Sequence, residues 1–254
     1  TSSSIGSNAV FATEGAHSAT LATDRGEGTI TAEAAKLITS GEGSPVIYST
    51  GNIIVNNVNG IANNSEIGVV EGKNSITLTN SNVTGYKDNG FMLYQSFSGD
   101  AENGIARLKA ENNTLTTHAT GAFLYVNNTT AEVDLSNNAI SMPNTSTLVK
   151  AAADSRWGKT GENGGHLTLR TSNQELSGNI MADSISTIAL DMTNGSSLVG
   201  AVNTDNAAKE VTVKLSKDSN WILTGDSYVK SLNNEDTTGS NIHLNGYKLV
   251  VADK

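Results

Sequence analysis

Val133-Asp134-Leu135-Ser136-Asn137-Asn138-Ala139-Ile140 is the stretch that decides the fold. It alternates apolar and polar residues, sets two asparagines in a row, and then resumes with apolar residues. Alternation with period two describes a strand with one buried face. The Asn pair describes a corner, because Asn tolerates left-handed backbone angles and bonds its own local backbone. The same phrase recurs as Ile76-Thr77-Leu78-Thr79-Asn80-Ser81-Asn82-Val83. Looser copies run from Leu108 to Leu115, from Leu169 to Leu176 and from Leu190 to Leu198. Their closing apolar residues are 22 to 36 positions apart. One strand–corner–strand unit repeated at such a period winds into a solenoid.

A compact apolar strand precedes most copies: Val46-Ile47-Tyr48, Gly68-Val69-Val70, Phe91-Met92-Leu93-Tyr94, Ala122-Phe123-Leu124-Tyr125-Val126 and Thr147-Leu148-Val149. Val46 to Val69 and Val69 to Met92 are both steps of 23. The expected fold is therefore all-β: a right-handed parallel β-helix of roughly 23 residues per coil, forming a single domain over 1–254. Ile30 to Leu37 has helical composition, but it keeps the five-residue step of the later corners and reads as strand. The interior column should hold Val55, Leu78, Ala110, Leu135 and Thr171. Asn80, Asn112, Asn137 and Asn173 should turn equivalent corners. Tyr48, Tyr94 and Tyr125 end equivalent strands and read as one stacked row. Residues 1–28 read as a cap or an irregular first coil, because an open solenoid end exposes strand edges. The start at Thr1-Ser2-Ser3-Ser4 suggests a processed or trimmed segment, and the end at Lys254 reads as much as a boundary within the pattern as a natural terminus.

Two coils carry surplus length at the same corner, over 95–104 and 154–165. Insertions into repeats map to loops on one face, often the binding face. The two loop bases should lie roughly 10 Å apart, two strand spacings along the rod.

Composition limits the partners. The chain has 30 Asn, two Pro and no Cys, and only 37 % of its residues are hydrophobic. A thin coil core tolerates that, and the regular alternation argues against disorder. The net charge of −9 opposes nucleic acid and anionic lipid. No run approaches the roughly 18 apolar residues of a membrane span, so no membrane insertion is expected. Without cysteine there is no disulfide scaffold and no thiolate zinc site.

The closing third reads Asn194-Gly195-Ser196-Ser197-Leu198, then Val211-Thr212-Val213-Lys214-Leu215, then Ser219-Asn220-Trp221-Ile222-Leu223-Thr224-Gly225-Asp226-Ser227. It resembles the late coils of right-handed β-helical bacterial surface proteins, such as adhesin-like proteins and autotransporter passenger domains. The resemblance implies the fold and an extracellular or cell-surface location, with Trp221 filling the inside of a coil. It implies no ligand. This chain departs from an autotransporter in lacking a membrane-barrel segment.

Candidate ligand-binding residues concentrate in the two loops: Phe97, Asp100 and Glu102 in the first, Asp154, Arg156 and Trp157 in the second. An aromatic ring beside a cation suits sugar stacking, and the same Trp could equally fold down over the coil edge. The carboxylates could be solvated loop charge, a calcium site or an acid–base pair. No Asp-x-Asp-x-Asp-Gly pattern occurs. His17, His118, His166 and His243 fall in separate coils without zinc spacing, and no nucleophile elbow is present. The expectation is a non-catalytic surface rod that displays its loops to a glycan or host protein, with no metal and no cofactor. One alternative is a polysaccharide lyase or glycoside hydrolase using Asp100, Asp154 and Arg156. The other is a passive spacer.

Overall fold

The computed structural model describes residues 21–22, 28–97 and 101–252. Among them there is no helix. Parallel strands stack coil upon coil. The first wall is a seven-stranded sheet that runs from Leu21–Ala22 through Ile47–Ser49, Gly68–Glu71, Phe91–Tyr94, Ala122–Asn127 and Thr147–Ala151 to Ile180–Ala182. The second wall has nine strands, from Thr29–Glu33 to Ser231–Asn234. The third wall comes in two pieces. Five strands run from Lys36–Thr39 to Ala139–Ser141, and four more from Glu175–Ser177 to Ile242–His243. The stretch from Ile30 to Leu37 is strand, corner and strand, as its spacing required.

The interior follows from period two. Val55, Leu78, Ala110, Leu135 and Thr171 are consecutive partners in register, and all five are buried. The column continues through Met192 and Leu215. Each large aliphatic side chain so placed contributes about 1.5–3 kcal/mol by leaving water. Thr171 fits because it has the shape of valine, though its Oγ1 finds no hydrogen-bond partner. Trp221 is fully buried between Leu198 and Ile242, and its Nε1 donates to the Gly200 carbonyl at 3.0 Å. Gly200 has to be glycine there: a Cβ would stand 2.1 Å from the Gly178 oxygen.

The corners follow from asparagine. Asn57, Asn80, Asn112, Asn137, Asn173 and Asn194 all have φ between 48° and 58°. In the first coil Ala34 takes that place at φ 50°. Asn137 Nδ2 donates to Asn112 Oδ1 at 2.7 Å, which begins an exposed ladder. The stronger ladder lies one residue further on and is buried. Asn113 Oδ1 accepts from Ser81 N at 2.9 Å, Asn138 Oδ1 from Asn113 N at 3.1 Å, and Gln174 Oε1 from Asn138 N at 2.9 Å. Each of these bonds satisfies a main-chain donor that the bend removes from the sheets.

The expected row of tyrosines divides in two. Tyr48 and Tyr125 share a row with Val69 and Met92. Tyr94 lies two positions along, in a row with Glu71 and Asn127. The reason is register: Phe91 pairs with Gly68 and Leu124, so the last residue of Phe91–Tyr94 overshoots the position of Tyr125. The Tyr48 and Tyr94 hydroxyls nonetheless meet at 3.0 Å across the rows.

Candidate functional site at the two long loops

The longer loop is held by its own polar residues. Asp154 Oδ1 accepts the N–H of Arg156 at 2.7 Å and that of Trp157 at 3.2 Å. Asp154 Oδ2 takes the Arg156 guanidinium at 3.1 and 3.2 Å and the Tyr125 hydroxyl at 3.3 Å. Burial opposes ionisation of Asp154, but the N–H groups and the guanidinium outweigh it and hold the carboxyl below its usual range. With both oxygens engaged, Asp154 acts as a staple that shapes the loop. Across the loop, buried Asn163 donates from Nδ2 to the carbonyls of Asp154 and Trp157, both at 2.7 Å.

The intervening coil ties the two loops together. Asn128 donates its main-chain N–H to Asn163 O at 3.1 Å and its Nδ2 to Gln95 O at 2.8 Å. Gly158, at φ +74°, makes that approach feasible, since a Cβ would stand 2.2 Å from Asn128 Oδ1. The loops therefore stand on one edge of the rod. Trp157 is half-buried. Its ring lies 5.3 Å from that of Tyr94 and 6.3 Å from that of Phe97, tilted by 48° and 53°. Phe97 is 69 % exposed. Phe97 and Trp157 thus form a bent aromatic shelf with Tyr94 beneath it and the exposed Arg156 side chain beside it.

The shorter loop is anchored from below by a residue that sequence reasoning passed over. Glu71 is 1 % exposed and accepts from the hydroxyls of Tyr48, Ser96 and Tyr94. Burial, with the Glu71 charge adding to it, pushes the phenols of Tyr48 and Tyr94 well above their usual range. Burial and then the Asp154 charge do the same to Tyr125. The available signal was an acid at the end of an otherwise apolar strand, Gly68-Val69-Val70-Glu71. Such a side chain is buried only when paired.

The remaining candidate residues are placed as follows. Glu102 is exposed and pairs with Lys73, an arrangement worth little at a surface. Asp100 lies outside the described residues. His166 pairs with Thr187 at 3.1 Å, and burial followed by the charge of Lys209 lowers its pKa. Among the described residues no group of three or more His, Asp or Glu could hold a metal ion. No helix among them is long and apolar enough to cross a membrane. Set against known protein families, curated proteins and solved structures, the chain finds no match.

Proposed function

We propose that the chain is a non-catalytic β-solenoid scaffold whose aromatic shelf at Phe97, Trp157 and Arg156 binds a glycan, in a secreted or bacterial cell-surface protein. One observation carries this reading. At one edge of the rod two insertions bring an exposed Phe and a pinned Trp within 6.3 Å of each other. Sugar rings have apolar C–H faces and polar rims, and they suit an aromatic plane flanked by a hydrogen-bond donor. The shelf is also stiff: Asp154 and Asn163 hold the Trp157 backbone before any ligand arrives, which lowers the ordering cost of binding. A secreted or surface location is supported by the cysteine-free, Asn-rich solenoid composition.

A glycan array followed by titration of the bound sugar tests the proposal. Phe97→Ala and Trp157→Ala should each weaken binding about tenfold, or ~1.4 kcal/mol. Phe97→Ala should leave the melting temperature unchanged, since the ring is exposed. A reducing-sugar release assay on the same glycans reads the lyase or glycosidase alternative. If no glycan binds at millimolar concentration and neither substitution changes any adhesion, the rod is a spacer.

A further inference from the structure

The edge that carries the two long loops carries a third further along the rod. Residues 203–209 leave the same corner, between Val202, which bridges to Ile180 on the first wall, and Glu210–Leu215 on the second. Buried Asn203, at φ 52°, fixes this loop. Its Nδ2 donates to Tyr228 O at 3.1 Å, and its Oδ1 accepts the Ala208 N–H at 3.0 Å. Between this loop and 154–165 lies one coil whose corner, 183–186, is short. A short corner between two taller loops leaves a depression, and a cavity of about 420 Å³ lies there. Its lining includes Ala152, Met181 and Ala182 from the first wall, with Asp205 and Ala207 from the third loop. The cavity adjoins the base of the Trp157 loop. Asp183 Oδ2 accepts the Ala153 N–H at 2.7 Å, and Ala152 belongs to the apolar cluster against which Trp157 packs. Counted by strand pairing, Phe91–Tyr94 and Val202 stand four coils apart. At about 4.8 Å per coil, the shelf and the third loop delimit a path of roughly 19 Å along the rod.

The chemistry of the cavity says what could follow that path. Its volume lies within the range of ligand pockets. The alanines and Met181 offer apolar surface to the C–H faces of sugar rings. Lys150 can donate to sugar hydroxyls and Asp205 can accept from them; both are exposed, and among the described residues neither makes an ion pair. The third ionisable group, Asp183, is already engaged: its Oδ1 accepts the Ile185 N–H at 3.2 Å and the Ser186 hydroxyl at 2.6 Å. One accessible cation and one accessible anion leave the cavity without a dominant sign. An acidic chain would meet Asp205 in a protein of net charge −9, and a cationic chain would meet Lys150 and Arg156. We infer that the ligand is an uncharged oligosaccharide several sugar units long, held extended along the rod from Phe97 and Trp157 across Met181 to Asp205. The inference rests on the glycan reading of the shelf and adds to it the length, direction and charge of the ligand.

The probes are mannan, cellulose and starch oligosaccharides of two to six units, titrated into the intact chain by calorimetry and by methyl NMR of Met181 and Ala207. In the series that binds, affinity should rise about tenfold or more from the disaccharide to the hexasaccharide. Only the longer members should shift both methyl signals. Ala207→Trp, at an exposed position, should block the path and return the hexasaccharide to the affinity of the disaccharide. Lys150→Ala should weaken the hexasaccharide severalfold and leave the disaccharide unchanged, whereas Trp157→Ala should weaken both. The same hexasaccharide with its primary alcohols oxidised to carboxylates should bind about tenfold more weakly. Affinity independent of length, a hexasaccharide indifferent to both Ala207→Trp and Lys150→Ala, or equal binding of the oxidised chain would overturn the inference and leave the shelf reading intact. No binding of any member at roughly 10 mM would overturn both.

Discussion

On the second wall the outward row reads Lys109, Asp134, Arg170, Asp191, Lys214; on the first it reads Tyr48, Val69, Met92, Tyr125, Lys150. Strand spacing and direction are common to both. The charged row satisfies itself at the surface, with Arg170 reaching Asp134 at 3.3 Å and Lys214 reaching Asp191 at 3.5 Å. All four of these side chains are between 36 % and 49 % exposed. The aromatic row is buried on its outer side as well, from Val69 through Tyr125. It carries a second apolar cluster outside the coil, with Trp157 packed against it. Where the row emerges, Lys150 Nζ stands 5.6 Å from the Tyr125 ring centre. The difference teaches that a solenoid wall becomes a platform for function when its outer face is apolar enough to hold inserted loops in place. A wall of alternating charge needs no cover and receives none.

The largest effect should come from breaking the aromatic wall. Tyr94→Ala removes a buried ring, a contact of Trp157 and a donor to Glu71, and should cost about 3 kcal/mol in urea unfolding. Lys214→Ala on the charged wall is the matched control. Equal costs for the two would erase the distinction between the walls.

A pH titration sharpens the same contrast. The folded-state pKa values of Tyr48, Tyr94 and Tyr125 are raised, so the phenols stay neutral in the fold while the unfolded chain ionises from about pH 10. Their contribution to stability is complete below that pH and falls as pH rises beyond it. Tyrosinate absorbance from these three, assigned by Tyr→Phe variants, should rise only together with loss of the β-sheet circular-dichroism signal. Ionisation ahead of unfolding would show that the cluster is open to water.

The smallest effect belongs to the charged row. Arg170→Ala should cost less than about 1 kcal/mol, and that cost should shrink at high salt. A larger, salt-independent loss would mean that the row is more than a solvated ladder.

Legibility tracks periodicity. The interior column from Val55 to Thr171, the left-handed asparagines and the burial of Trp221 were readable, because each repeats or sits within a repeating phrase. The buried polar ladder of Ser81, Asn113, Asn138 and Gln174 was hidden. Its residue type varies from coil to coil, and what stays constant is a bond to a main-chain N–H, which no side-chain pattern reveals. The offset of Tyr94 depends on register across a coil of irregular length. Shared placement of the two loops could be read from their corner, whereas the ring contacts of Trp157 with Tyr94 and Phe97 depend on how Asp154 and Asn163 bend the chain. Glu71 was passed over because a lone acid next to apolar residues reads as a strand end.

The alternating charges of the second wall also count. A growing solenoid can err by stacking a strand on the coil before last, which apolar interiors tolerate because one leucine resembles another. Here, skipping a coil would set Arg170 beside Lys109, Asp191 beside Asp134 or Lys214 beside Arg170, like against like in every case. Directly opposed like charges on a sheet are unfavourable. The row that adds little to the finished rod thus penalises these three miscounts during assembly, and so helps to fix the order in which the middle coils are laid down.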